Sequence, residues 1–248
     1  MAVRAAWGVA ALLGLTCPAL AQDCRLALVL ALDVSASVDP AEDRLQRDGL
    51  AHALLAPEVV RAFLGGEPVA LFVFEWAGPT YQADVTPSWQ VVRTEEDLAR
   101  VAAALHAGRG RQESRRARAG STALGTALLY AAGTLSSGPP CAARTVDVSG
   151  DGENNEGLGP ADVYGGSLLD SVTVNALIVD RLQVKAIPPE EIPLAAWFQA
   201  HVLHGPGAFW VLAEDFEDYE RAMKAKLLRE LELPVVSEGL AGGRHPPG

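Results

Sequence analysis

The sequence predicts a doubly wound α/β domain, a mostly parallel central sheet flanked by helices, from three observations. Short apolar runs without polar alternation, such as Leu26–Leu32 and Val69–Trp76, read as strands buried on both faces, the usual state of strands in a parallel sheet. Stretches with helical periodicity separate these runs along the chain. Polar turns follow two of the runs, at Asp33-Val34-Ser35-Ala36-Ser37 and at Ser149-Gly150-Asp151-Gly152. In open α/β sheets ligands bind beyond the carboxyl ends of the strands.

The elements follow in order. After the strand Leu26–Leu32, Pro40–Leu55 reads as a helix with Leu45, Gly49 and His52 on one side and charges on the other. Val69–Trp76 is a second strand, and Tyr81–Val85 a short edge strand after the Gly78-Pro79 turn. Thr94 opens a helix, with Asp97 three residues later as a weaker form of the capping box. Leu98, Val101, Ala102 and Leu105 give it a helical period. An arginine-rich loop, Gly108–Gly120, leads into an Ala/Leu helix over Thr122–Leu135. Arg144–Val148 and Val172–Val179 are further strands, Leu194–Val202 a helix, and Phe209–Leu212 a fifth main strand. Asp215 caps a last helix reaching about Leu231. No internal repeat or linker divides the chain, so residues 22–233 form one domain. The Pro/Gly-rich residues 234–248 read as a frayed tail.

Composition narrows the function. Hydrophobic residues make up 49% of the chain, enough for a large core, and a net charge of −11 gives no general attraction to nucleic acid or anionic lipid. Residues 1–21 read as a signal peptide: Arg4, the apolar run Val9–Leu15, then Ala19-Leu20-Ala21, with cleavage after Ala21. That run is too short to span a bilayer, and no later run is long enough. The expected product is periplasmic or secreted. Cleavage removes Cys17 and leaves Cys24 and Cys141, an even count in an oxidising compartment.

The chemistry concentrates at three turns. Asp33, Ser35 and Ser37 form D-x-S-x-S, a carboxylate and two hydroxyls at alternate positions of a tight turn. Ala119–Gly125 and Asp147–Asn155 precede helices and therefore lie on the same side of the sheet. All these groups are hard oxygen donors, which suit Mg²⁺ or Mn²⁺ rather than zinc, with Ca²⁺ as a further candidate. A plainer account of the first turn is a helix cap by Ser37 or Asp39, which explains one of its side chains. Asp147-x-Ser149-x-Asp151-Gly152 is no EF-hand, because Leu158 stands where a bidentate acid is required.

In this order and on this strand pattern the motifs resemble the metal-ion-dependent adhesion site of von Willebrand factor A (vWA) domains. The segments LALVLALDVSASVD, VALFVFEWAGP, DVSGDGENN and GPGAFWVLAEDFEDYERAMKAKLLREL look like an exported bacterial branch of that family. The resemblance implies a metal held by Asp33, Ser35, Ser37, Thr122 and Asp151. In such sites the serines and threonine bind directly or through water, and the aspartates act partly through water. The family loop usually reads Gly-Gly-Thr; here Ser121 replaces the second glycine, and Thr126 is a rival ligand one turn beyond Thr122.

The family strand order also implies that Asp33 and Asp151 end neighbouring parallel strands. Cys24 and Cys141 then lie side by side at the opposite ends, within disulfide range. Such a bridge is worth roughly 4–5 kcal/mol in the chain-entropy model. The implied function is capture of a protein ligand presenting Asp or Glu, whose carboxylate completes the metal's coordination. Arg109, Arg111, Arg115, Arg116 and Arg118 read either as a solvated loop or as a positive rim beside the metal. The alternative is a metal-assisted hydrolase using the same site. Against an enzyme stand the lack of G-x-S-x-G around Ser149 and the scatter of His52, His106, His201, His204 and His245, which supplies no base near the metal.

Overall fold

β1 (Leu26–Asp33) is buried along its whole length, as an apolar run without alternation requires of a central strand. The computed structural model describes residues 24–108, 120–180, 188 and 192–232. The signal-peptide reading, the tail 234–248 and Arg109, Arg111, Arg115, Arg116 and Arg118 lie outside these residues. After β1 come α1 (Pro40–Leu55), α2 (Pro57–Leu64), β2 (Val69–Trp76), β3 (Gln82–Asp84), β4 (Gln90–Val92) and α3 (Glu95–Ala107). There follow α4 (Leu124–Ser136), β5 (Ala143–Gly150), α5 (Pro160–Tyr164), β6 (Thr173–Val179), α6 (Pro193–His201), β7 (Trp210–Ala213) and α7 (Tyr219–Glu232).

The sheet has seven strands in the order β3-β2-β1-β5-β6-β7, with β4 also on β2. β1, β2, β5, β6 and β7 are parallel to their neighbours in this series; β3 and β4 run antiparallel to β2. The doubly wound prediction holds. Side chains of β1 alternate between two cores. Leu26, Leu28, Leu30 and Leu32 pack with Leu50, Leu54, Phe63 and Leu227 of α1, α2 and α7. Ala27, Val29 and Ala31 pack with Phe74, Trp76, Leu128 and Phe198, on the side of α4 and α6. No helix among the described residues is long and apolar enough to cross a membrane.

Three elements were not read from the sequence. Ala56 closes α1 and opens α2 in an extended conformation, because Pro57 disfavours the helical conformation in the residue before it while itself suiting a first helical turn. β4 and α5 are only three and five residues long, too short for a periodic signal. The last helix begins at Tyr219 rather than at Asp215, although Asp215 Oδ1 does accept the Asp218 N–H at 2.9 Å. The expected face of α1 also needs correction. Asp43, Gln46 and Arg47 are buried there, and His52 faces outward toward Glu220. The charges tolerate burial because Arg47 pairs with Asp43 at 2.9 Å and with Glu75 of β2.

The amino-terminal ends of the strands are fastened. Cys24 and Cys141 form a disulfide with Cα atoms 4.7 Å apart, as the neighbouring-strand argument predicted. Beside it, Arg25 donates to Leu231 O at 2.8 Å, Ala62 O at 2.7 Å and Glu67 O at 2.9 Å, tying the ends of α7 and α2 to β1.

Candidate metal centre

β1 and β5 run in register with Leu32 opposite Ser149, so Asp33 and Asp151 leave the sheet side by side. The D-x-S-x-S turn folds back on Asp33: the Ser35 N–H donates to Asp33 Oδ1 at 2.7 Å. Ser35 Oγ lies 3.0 Å from Ser37 Oγ, and the Ser37 hydroxyl donates to Asp151 Oδ1 at 2.6 Å. Four of the five expected site residues are thus joined in one hydrogen-bonded chain running from β1 to the end of β5. Helix capping does not account for these contacts. Asp39 alone caps α1, accepting the N–H groups of Ala41 at 2.6 Å and Glu42 at 3.0 Å, which leaves Ser37 to face Asp151.

Thr122 is buried in the loop before α4, two residues ahead of the helix rather than at its first position. Its hydroxyl makes no hydrogen bond to the other four residues, but its loop adjoins theirs: Ala36 N–H donates to Gly120 O at 3.3 Å, and Ala123 N–H to Ala77 O at 2.9 Å. Thr126, the rival, lies on α4 with its hydroxyl against the Gly157 turn. Asp147 is not at the site. It is buried on the α7 side of the sheet, paired with Lys226 at 2.7 Å, a polar strand residue with a partner, as expected.

Two asparagines that sequence reasoning left without a role hold the loops together. Asn155 Oδ1 accepts the Thr122 N–H at 2.9 Å, and the Asn155 N–H returns a bond to Thr122 O at 2.9 Å. Asn154 Oδ1 accepts the Gly125 N–H at 3.2 Å, at the first turn of α4. Ser121 bonds Glu156 in the same clasp. The available signal was a pair of amide side chains directly after an Asp-Gly turn, a composition suited to bonding free backbone groups. α4 can approach this loop only because residue 125 is glycine: a Cβ there would stand 2.2 Å from Leu158 O.

Asp33 Oδ2 is buried with no hydrogen bond of normal geometry among the described residues. Burial, then the negative charge of Asp151, push the Asp33 carboxyl up to about 7; the Ser35 amide and hydroxyl and the Asp151 amide oppose this only in part. A buried carboxylate oxygen lacking a hydrogen bond of normal geometry, beside a second carboxylate, suits a cation. Among the described residues no three His, Cys, Asp or Glu side chains form a metal-binding group, so a cation here would rest on hydroxyl oxygens as well as carboxylates. That donor set fits a hard divalent ion.

Residues 23–235 match the family model described as "Protein of unknown function (DUF1194)". The chain belongs to the DUF1194 family. No curated protein matches it. Its solved structural relatives place the DUF1194 chain in the vWA fold. It is similar to a von Willebrand factor type A protein from Catenulispora acidiphila, at 15% identity and TM-score 0.55 over 84% of this chain and 43% of that one. Proximal thread matrix protein 1 from the mussel byssus, solved with a zinc-occupied MIDAS motif, matches at 15% identity and TM-score 0.56 over 84% and 48%. The pilus adhesin SpaC from Lactobacillus rhamnosus GG, in its open conformation, matches at 13% identity and TM-score 0.56 over 84% and 30%. The DUF1194 chain therefore spans less than half the length of each of these proteins.

Proposed function

We propose that this chain is an exported binding module that holds a divalent cation, Mg²⁺ or Mn²⁺, through Asp33, Ser35, Ser37, Thr122 and Asp151. The cation in turn captures a carboxylate of a protein partner. The observation that carries this reading is Asp33 Oδ2, buried without a hydrogen bond of normal geometry at the end of the chain of contacts that reaches Asp151. Two carboxylates against one divalent ion leave the centre near neutral, so the ion can still accept an anionic ligand. On a chain of net charge −11 the ion would also be the largest local positive charge, drawing an acid to one spot on a repelling surface. The zinc-occupied motif of the byssus protein and the adhesin role of SpaC agree with this reading. The signal-peptide pattern of residues 1–21 and the Cys24–Cys141 bridge support export.

Binding rather than turnover is our reading of the chemistry. His204 pairs with Val174, near the start of β6, and stacks on Tyr164 at 4.4 Å, far along the sheet from the turns that follow β1 and β5. It offers no base to a metal-bound water. Calorimetry tests the proposal. The wild-type chain should bind Mn²⁺, Asp33→Ala should abolish binding while circular dichroism stays unchanged, and a periplasmic partner should be retained on the wild type and released by EDTA. Equal Mn²⁺ affinity in wild type and Asp33→Ala rules out the assignment.

A further inference from the structure

The cation site has a support that no site motif contains. Gln46, on α1, is 1% exposed, and its side-chain Nε2 donates to the backbone carbonyl of Asp33 at 2.9 Å. This carbonyl stands where β1 becomes the D-x-S-x-S turn. Pairing with β5 ends at Leu32 opposite Ser149, so no strand residue is matched to Asp33 on that side. On the other side the Val34 N–H still donates to Trp76 O at 2.9 Å. The peptide plane between Asp33 and Val34 is thus held by β2 through its N–H and by Gln46 through its carbonyl. That plane sets the direction in which Val34, Ser35 and the rest of the turn leave the sheet.

Gln46 can act as a fixed support because its neighbour is anchored. Arg47, fully buried, bonds Asp43 at 2.9 Å and pairs with Glu75, and Glu75 lies opposite Leu32 in the β1–β2 register. The same turn of α1 therefore grips β2 one residue before the site and β1 at the site itself. A buried amide bonded to a carbonyl has little freedom, and loss of its donor would leave that carbonyl buried and unpaired. The turn would then rotate toward another donor, carrying the Asp33 carboxylate and the two serines with it.

We infer that Gln46 is a positioning residue of the cation site, holding the D-x-S-x-S turn in the geometry that converges on Asp33. This rests on the metal reading above. Groups that orient metal ligands without touching the metal commonly govern affinity by about 10–100-fold.

The test compares Mn²⁺ affinity and the electron paramagnetic resonance spectrum of bound Mn²⁺ in three forms of the full chain. These are the wild type, Gln46→Met, which keeps the shape and removes the donor, and Val59→Ala, a buried α2 variant that lowers stability away from the site. Gln46→Met should bind Mn²⁺ about 10–100-fold more weakly with an altered spectrum, while Val59→Ala should stay within about twofold of wild type. If Gln46→Met does not fold, Gln46→Leu, of similar volume and without any donor, takes its place with the same expectation. Wild-type affinity and spectrum in the Gln46 variant, with only a lowered Tm, overturn the inference alone. Failure of the wild type itself to bind Mn²⁺ overturns the metal reading and this inference together.

Discussion

The two ends of the central strands are built to opposite specifications. At the amino ends, Cys24 is bonded to Cys141, and Arg25 spends its guanidinium on three backbone carbonyls from α2, α7 and the loop before β2. At the carboxyl ends, the same two strands present Asp33 and Asp151, linked through the Ser35 amide, the serine hydroxyls and the Asp151 amide, with one carboxylate oxygen buried and lacking a hydrogen bond of normal geometry. Every additional contact at the first pole lowers the free energy of the folded chain. The second pole retains a buried carboxyl whose charged form is unfavourable until a proton or a cation neutralises it. Stability and the proposed binding would thus be separated by the length of a strand.

The largest expected effect comes from breaking the fastened pole. The bridge spans a sequence separation of 117, and its loss should cost about 5 kcal/mol by the chain-entropy model. The double variant Cys24→Ser/Cys141→Ser should show a large fall in Tm by calorimetry while Mn²⁺ affinity stays at the wild-type level below the transition. A parallel loss of affinity would mean that the poles are coupled.

At the other pole the expected effect depends on pH. The Asp33 carboxyl is raised from 3.8 to about 7, so its folded form binds the proton more tightly than the unfolded chain does. Its stabilising contribution is therefore complete at low pH, below the unfolded value, and is lost as pH rises through about 7. Metal-free protein should lose about 3 kcal/mol between pH 5 and pH 8 relative to Asp33→Asn. Thermal unfolding of both proteins across that range measures the difference, and Mg²⁺ should abolish it in the wild type. Identical pH profiles for wild type and variant would remove the buried charge from the account.

Two glycines of α4 sharpen the contrast on a smaller scale. Gly125→Ala would drive a Cβ into the backbone of Leu158 and Gly159, displacing the loop that carries Asn154 and Asn155, at a cost of about 1–3 kcal/mol and with weaker Mn²⁺ binding. Gly133, two turns further along α4, is exposed and has nothing within 4 Å of an added Cβ. Gly133→Ala should stabilise by about 0.5–1 kcal/mol and leave binding untouched. Urea titration of both variants checks the opposite signs.

Much of this molecule can be read from its residues alone. Unalternated apolar runs can only be buried on both faces, so β1 and β2 announce a parallel sheet, and the turn after β1 is the place where such a sheet would carry the proposed site. Cys24 and Cys141 could be paired once the family resemblance supplied the strand order, because strand length and register then fix where each strand begins. Tertiary packing alone decided which polar residues go inside. Nothing local distinguishes Gln46 and Arg47 from a solvated helix face; their burial depends on Glu75 and the Asp33 carbonyl, which come from other strands. Nor could the roles of Asn154 and Asn155 be assigned before α4 was brought against them. Periodicity records the average environment of a face, whereas a buried polar group is stabilised by one partner at one distance, and that partner is known only after the chain has folded.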